Sequence, residues 1–356
     1  MDRLKYPQKF ALISVLFAAP LGVMMVMLFA QLQQQVNLSR RELQGTEYLK
    51  TLRHLWVSLP QLQQTAIGSN QLITPEWLRL ESLVSRDLLS LDKIDRTLGP
   101  SLSTTQQNKI LQDLWKNFQG NQQQWSPETR EAVLAEIVAQ GKQLRQIVGD
   151  ESGLILDPEL DSYYLMDASL VKIPQLQQYL GDVKVLGQGV MMRKGMTSQE
   201  RGKLLSLVGL LRETDRDLAE SLETAWKHSP GLQVHLEPQL RELQKNAQSL
   251  VTMAENLLYE YHIPNAGQYY ELADDSLQNS QALWEQSTTQ LDRLLHRRIE
   301  KMNQRRLLML GFVILMLGAV LYAFVGFYRG VMRTVSSLSL TSKQMLKGEF
   351  TETAPL

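Results

Sequence analysis

An all-α fold is predicted by three features of the sequence. Apolar residues recur at alternating spacings of four and three, no segment sustains a two-residue alternation, and two uncharged blocks are each long enough to cross a bilayer as a helix. The expected architecture is an antiparallel helical bundle, of one or of two stacked modules, held between two transmembrane helices. The chain then divides into a short tail (1–9), a first span (10–30), a loop domain (31–306), a second span (307–327) and a C-terminal segment (328–356).

The first span reads FALISVLFAAPLGVMMVMLFA over 10–30 and the second LLMLGFVILMLGAVLYAFVGF over 307–327. At about 1.5 Å rise per residue each covers roughly 30 Å, the thickness of a hydrocarbon core. A cleaved signal peptide is the rival for the first block. Its apolar run exceeds the usual h-region, and bulky Leu28 spoils a small-x-small site ending at Ala30, so a retained anchor is expected. Pro20 is tolerable within it, because neighbouring helices can satisfy the freed carbonyl. Phe324, Phe327 and Tyr328 gather at the end of the second block, as interfacial aromatics do.

Between the spans the loop reads as helix almost throughout. The clearest seam is Leu236, Leu240, Leu243, Ala247, Leu250, Ala254, Leu257 and Tyr261. Leu80, Val84, Leu88, Leu91 and Leu98 form another, as do Val133, Ile137, Leu144 and Ile147. Further seams run through Leu204, Leu207, Leu211, Leu218 and Leu222, and through Trp284, Thr288, Leu291 and Leu295. Narrow seams on several long helices are what antiparallel bundles bury. Breaks rich in Gly, Pro, Asn and Ser are expected at 69–75, 99–103, 120–127, 149–158, 181–197, 229–238 and 263–267. No breaker falls in 31–59 or 272–306, so a helix can run from the bundle towards each span. After the second span, Val331, Val335, Leu338, Thr341/Ser342 and Met345 make a short heptad stripe that Gly348 can end. A lone helix of this length is marginal in water, so pairing with a second copy is expected.

Composition excludes several functions. The 37 Lys and Arg balance 37 Asp and Glu, leaving no basic field for nucleic acid. Cysteine is absent, which removes disulfides, thiolate metal sites and thiol catalysis. The five histidines form no HExxH or close pair, so no metal is expected. Gly187-Gln188-Gly189 follows no strand and reads as a turn between helices rather than a nucleotide loop. With no nucleophile elbow or Walker loop either, neither an enzyme nor a cofactor is expected from these residues.

The densest polar and aromatic cluster is Asp157-Pro158-Glu159-Leu160-Asp161-Ser162-Tyr163-Tyr164-Leu165-Met166-Asp167. One reading is a helix start, with Asp157 as N-cap, Pro158 in the first position, and Glu159 and Asp161 complementing the dipole. The other is a ligand pocket built on Asp157, Asp161, Tyr163 and Tyr164. In that case Asp161→Ala would abolish ligand-induced stabilisation. Pro264 to Tyr269-Tyr270 repeats the spacing of Pro158 to Tyr163-Tyr164, which fits two stacked modules or coincidence. Tyr269 and Tyr270 are the second candidate pair.

The stretches Arg41-Glu42-Leu43-Gln44-Gly45-Thr46-Glu47-Tyr48-Leu49, Leu156 through Asp167, Leu186-Gly187-Gln188-Gly189-Val190 and 291–328 resemble the helical sensor region of bacterial transmembrane receptors. That region is shared by methyl-accepting chemotaxis proteins, sensor histidine kinases and diguanylate cyclases. Residues 332–350 resemble the first helix of a HAMP domain, ending in Gly348-Glu349-Phe350, though without the usual proline near the helix start. The second HAMP helix would lie beyond residue 356. Where relatives often carry Gln-His-Arg after the first helix, this chain has Gln63-Gln64-Thr65.

The resemblance implies a homodimer in the bacterial inner membrane, with the loop periplasmic and the tails cytoplasmic. Charge does not choose the side, since seven basic residues near the spans in the tails face nine in the loop flanks. The resemblance further implies a receptor for a periplasmic small molecule, free or carried by a binding protein, that signals to cytoplasmic domains or proteins. Chemotaxis is the foremost output, with a histidine kinase or diguanylate cyclase next. A non-signalling, membrane-anchored assembly protein is the contrasting reading.

Overall fold

The computed structural model describes residues 6–68, 74–259 and 265–346, without the side chains of 6–11, 13–15, 17–18, 21, 64, 66–68, 340–341 and 343–346. Nine α-helices occur among the described residues, and no strand. They are α1 (Tyr6–Gly68), α2 (Pro75–Leu102), α3 (Thr105–Asn121), α4 (Pro127–Ser152), α5 (Leu160–Asp167), α6 (Ile173–Arg193), α7 (Ser198–His228), α8 (Gln233–Tyr259) and α9 (Ala266–Leu346). The all-α expectation holds.

Local chemistry sets the helix ends. Thr74 caps α2 by accepting the Trp77 N–H at 3.1 Å, with Pro75 as first residue. Ser126 does the same for α4 through the Thr129 N–H, and Gly153 ends that helix at φ 80°, where a glycine is unstrained. Thr197 and Glu200 form a reciprocal capping box on α7. The expected breaks at 149–158 and 181–197 are present but shorter than read. Helix α6 runs unbroken through Gly187-Gln188-Gly189 to Arg193, and α4 runs through Gly149. The expected breaks at 69–75 and 263–267 fall largely outside the described residues, as does Gly348-Glu349-Phe350.

Between α5 and α6 the helix widens into a π turn over Ala168–Lys172, where the Ile173 N–H reaches the Ala168 carbonyl. Pro174 follows directly. Having no N–H and a ring that crowds the carbonyl four residues back, it cannot continue a regular ladder, which rationalises the wider turn.

Two compact units divide the chain. Asn37–Arg298 is the larger, and its core follows the predicted seams: Leu80, Val84, Leu88 and Leu91 are buried, as are Leu236, Leu240, Leu243, Leu250 and Leu257. Helices α2, α3 and α4 pack on one another, as do α5, α6, α7 and α8, with the short 3-10 turn Leu154–Leu156 touching both α4 and α5. Side chains bind the residue 37–68 part of α1 to α2 (Tyr48–Asp95, Ser58–Asp87) and to α9 (Lys50–Asp292, Arg53–Glu285).

The other unit is Met1–Val36 with Ile299–Leu356. Its apolar side chains face outward: Val23, Met24, Leu307, Leu308, Phe312, Ile314 and Leu321 are all exposed. Within Ala266–Ser339 a window of mean hydropathy 2.6, none of it buried, makes this helix long and apolar enough to cross a membrane. Among the described residues it is the one helix that qualifies; much of 10–21 lies outside the described side chains. Arg306 donates to Gln33 at 2.7 Å and lies over the Phe29 ring at 5.2 Å.

Candidate functional site

The apolar seam of α9 runs Trp284, Thr288, Leu291, Leu295, and its next position is Arg298. The stripe on α1 that holds Leu49 and Leu52 likewise passes through Glu42. Both charged residues are therefore carried into the interior by helical periodicity. Arg298 is 7% exposed and Glu42 4%. The guanidinium meets Glu42 Oε2 at 3.3 Å, Asp157 Oδ1 at 3.0 Å and Glu159 Oε2 at 3.3 Å, and it also donates to Ser162 Oγ. A planar fork of five N–H donors suits such multiple acceptance, which a lysine could not match.

Three carboxylates on one guanidinium leave the cluster with excess negative charge. The strain falls on Glu42. Burial first, then the Asp157 charge, pushes its carboxyl up to about 7, against the opposing pull of Arg298. A proton there is gained and lost near neutrality.

Asp157 is thus not the helix N-cap. Helix α5 begins at Leu160 with Glu159 in the cap position. Asp157 instead turns one oxygen to the Glu159 N–H at 3.0 Å and uses both on Arg298. Asp161, half-buried, accepts the Ser162 N–H at 2.8 Å. Tyr163 is exposed and meets half-buried Tyr164 edge-on, centroids 5.4 Å apart.

The second tyrosine pair sits differently. Tyr269 is fully buried and donates to the Val183 carbonyl at 2.7 Å, while Tyr270 packs edge-on against it. Burial raises the Tyr269 phenol above its usual range. Gly187 makes room for this ring: a Cβ there would lie 2.2 Å from the hydroxyl oxygen. The glycine read as a turn is a close-approach position inside a helix.

The structure therefore brings Asp157 together with Glu42, Glu159, Ser162 and Arg298, and each tyrosine pair makes its ring contact internally. Arg298 and Glu42 were absent from the candidates read from sequence. The signal for both was a charge standing on an apolar seam. Other buried polar links include Tyr48 and Thr104, which both donate to Asp95 Oδ1, at 2.8 and 2.6 Å. Among the described residues no group of three or more His, Asp or Glu could hold a metal ion.

No protein-family model matches this chain, and neither does any curated protein or solved structure.

Proposed function

We propose that the chain is the sensory and membrane portion of a transmembrane receptor. A periplasmic small molecule, free or on a binding protein, shifts the bundle between two packings, and a homodimer passes that shift towards a cytoplasmic output, chemotaxis foremost. The observation that carries this reading is the Arg298 cluster. It fastens α1 and α9, whose sequences contain the two apolar blocks, to the start of α5 through one buried guanidinium. A change at the α5 start would act on both helices at once, because packed polar networks switch between discrete arrangements. The available signal equals the ligand's differential affinity for the two packings, typically about 1–3 kcal/mol.

The cysteine-free sequence permits a clean test. In intact cells of a Gram-negative host, Ser90→Cys should react with a membrane-impermeant maleimide added outside, and Ser336→Cys only after lysis. In membranes, Val335→Cys should form a disulfide between two copies. Its rate should change with a compound that raises the melting temperature of the full chain in a screen of organic acids, amino acids and inorganic anions. Labelling of both cysteines from outside would sink the topology. A crosslinking rate indifferent to every stabilising compound would leave an anchored assembly protein.

A further inference from the structure

On α4 the buried stripe Leu134, Ile137, Gly141, Leu144, Val148 has a gap at Gly141, and the Trp56 indole of α1 fills it at 3.7 Å from where a Cβ would stand. Two cations flank the gap on the same helix. The Arg145 guanidinium carbon lies 5.1 Å from the centre of the Trp56 ring, and Lys142 donates to Gln178 Oε1 of α6 at 2.7 Å. Among the described residues the Arg145 side chain makes no hydrogen bond and neither cation has an ion-pair partner. The Trp56 Nε1–H is buried with no acceptor.

Such an arrangement is costly unless something completes it. Desolvation pushes the Arg145 guanidinium down to about 10 and lowers Lys142 as well, with Arg145 adding to the effect on Lys142. The acid that acts on Lys142 is Asp182, on which Lys203 also acts, and burial raises its own carboxyl above the usual range. Lys142 and Lys203 thus act on one acid, Arg145 acts on Lys142, and the indole N–H of the ring under Arg145 lacks an acceptor.

We propose that Trp56, Lys142 and Arg145 form a binding site for a small monocarboxylate. A carboxylate matches the planar Arg145 fork, which a spherical halide does not. A second oxygen lone pair can take the indole N–H or Lys142, and the indole offers an apolar wall for a short hydrocarbon body. Asp182 argues against a more highly charged anion. Binding stands independently of the receptor reading, and only its role as the stimulus rests on that reading.

The probes are sodium propionate and sodium benzoate, titrated into the full chain in nanodiscs at constant ionic strength, with sodium chloride and sodium sulfate as controls. Saturable tryptophan fluorescence change and a higher melting temperature are expected with the carboxylates alone. Arg145→Gln should weaken binding by at least about tenfold, as loss of a charged hydrogen-bond partner does. Trp56→Phe should weaken it less, and Asp182→Asn should tighten it, a sign that a merely structural role would not produce. Carboxylates that act no differently from chloride would overturn the site. So would an unchanged dissociation constant in Arg145→Gln or, should that variant not fold, in Asp182→Asn. If carboxylate binds while Val335→Cys crosslinking stays unchanged in its presence, the monocarboxylate is not the stimulus, though the site stands. If crosslinking responds to another compound and carboxylate does not bind, only the site fails.

Discussion

Gly187→Ala tests the packing of α6 against α9 with a single methyl. That methyl would stand 2.2 Å from the Tyr269 hydroxyl oxygen, 2.4 Å from Cζ and 2.6 Å from Cε1. Carbon atoms rest about 3.5–4.0 Å apart, so the ring must retreat by more than an ångström. It has nowhere to go, being fully buried and tied to the Val183 carbonyl. Overpacking of this kind costs about 1–3 kcal/mol. Tearing the phenol from its acceptor adds about 1–3 kcal/mol. Alanine's better helix propensity returns about 0.5–1 kcal/mol. The net is about 3 kcal/mol of destabilisation, read from guanidinium unfolding of the full chain in detergent. Gly141→Ala is the control: its methyl would meet Trp56 at an ordinary 3.7 Å, so it should stabilise by about 0.5–1 kcal/mol. In a Tyr269→Ala background the Gly187→Ala penalty should vanish. A Gly187→Ala protein as stable as the parent, or equally destabilised without the ring, would refute the close-approach argument.

Glu42 predicts a pH dependence. Its folded value, about 7, lies above the usual 4.5, so the protonated acid is favoured by folding. Stability from this group is full below about pH 4.5 and is lost as pH rises through 7, which at about 1.4 kcal/mol per pH unit amounts to about 3 kcal/mol. Glu42→Gln should therefore be more stable than the parent at pH 8 and similar at pH 4.5; parallel melting profiles would contradict this. Asp95→Ala strands two buried hydroxyls, those of Tyr48 and Thr104, and should cost about 2–4 kcal/mol, against about 1 kcal/mol for Tyr48→Phe. Thr197→Ala breaks the capping box of α7 and should lower stability by about 1 kcal/mol in the same denaturation assay, with no change if the box is not formed.

Periodicity made the helices and their buried faces legible. Every seam residue from Leu236 to Leu257 is buried, because a 3.6-residue repeat is a property of the local chain. What periodicity does not encode is which seams face each other. Gly187 illustrates the loss: a glycine signals a break when its flexibility is the reason for it, and a close approach when a distant ring is, and only the fold supplies Tyr269. Asp157 shows the same ambiguity, its oxygens divided between a neighbour two residues on and an arginine 141 residues away. Charges on apolar seams were readable, and that ground alone singles out Arg298 and Glu42. Their common partner was not. The π turn was also hidden, since a pattern search at fixed period absorbs one extra residue as noise.

That wide turn has a consequence for how the chain tolerates insertion and deletion. Removing one residue from a regular helix rotates everything downstream by about 100°, which here would carry Leu176, Leu180 and Val183 off the core. A π turn already holds one residue more than the regular ladder of its flanks uses. Loss of a single codon within Ala168–Lys172 would take up that surplus and leave the faces on either side in phase, whereas the same loss in α7 or α8 would unseat half a helix.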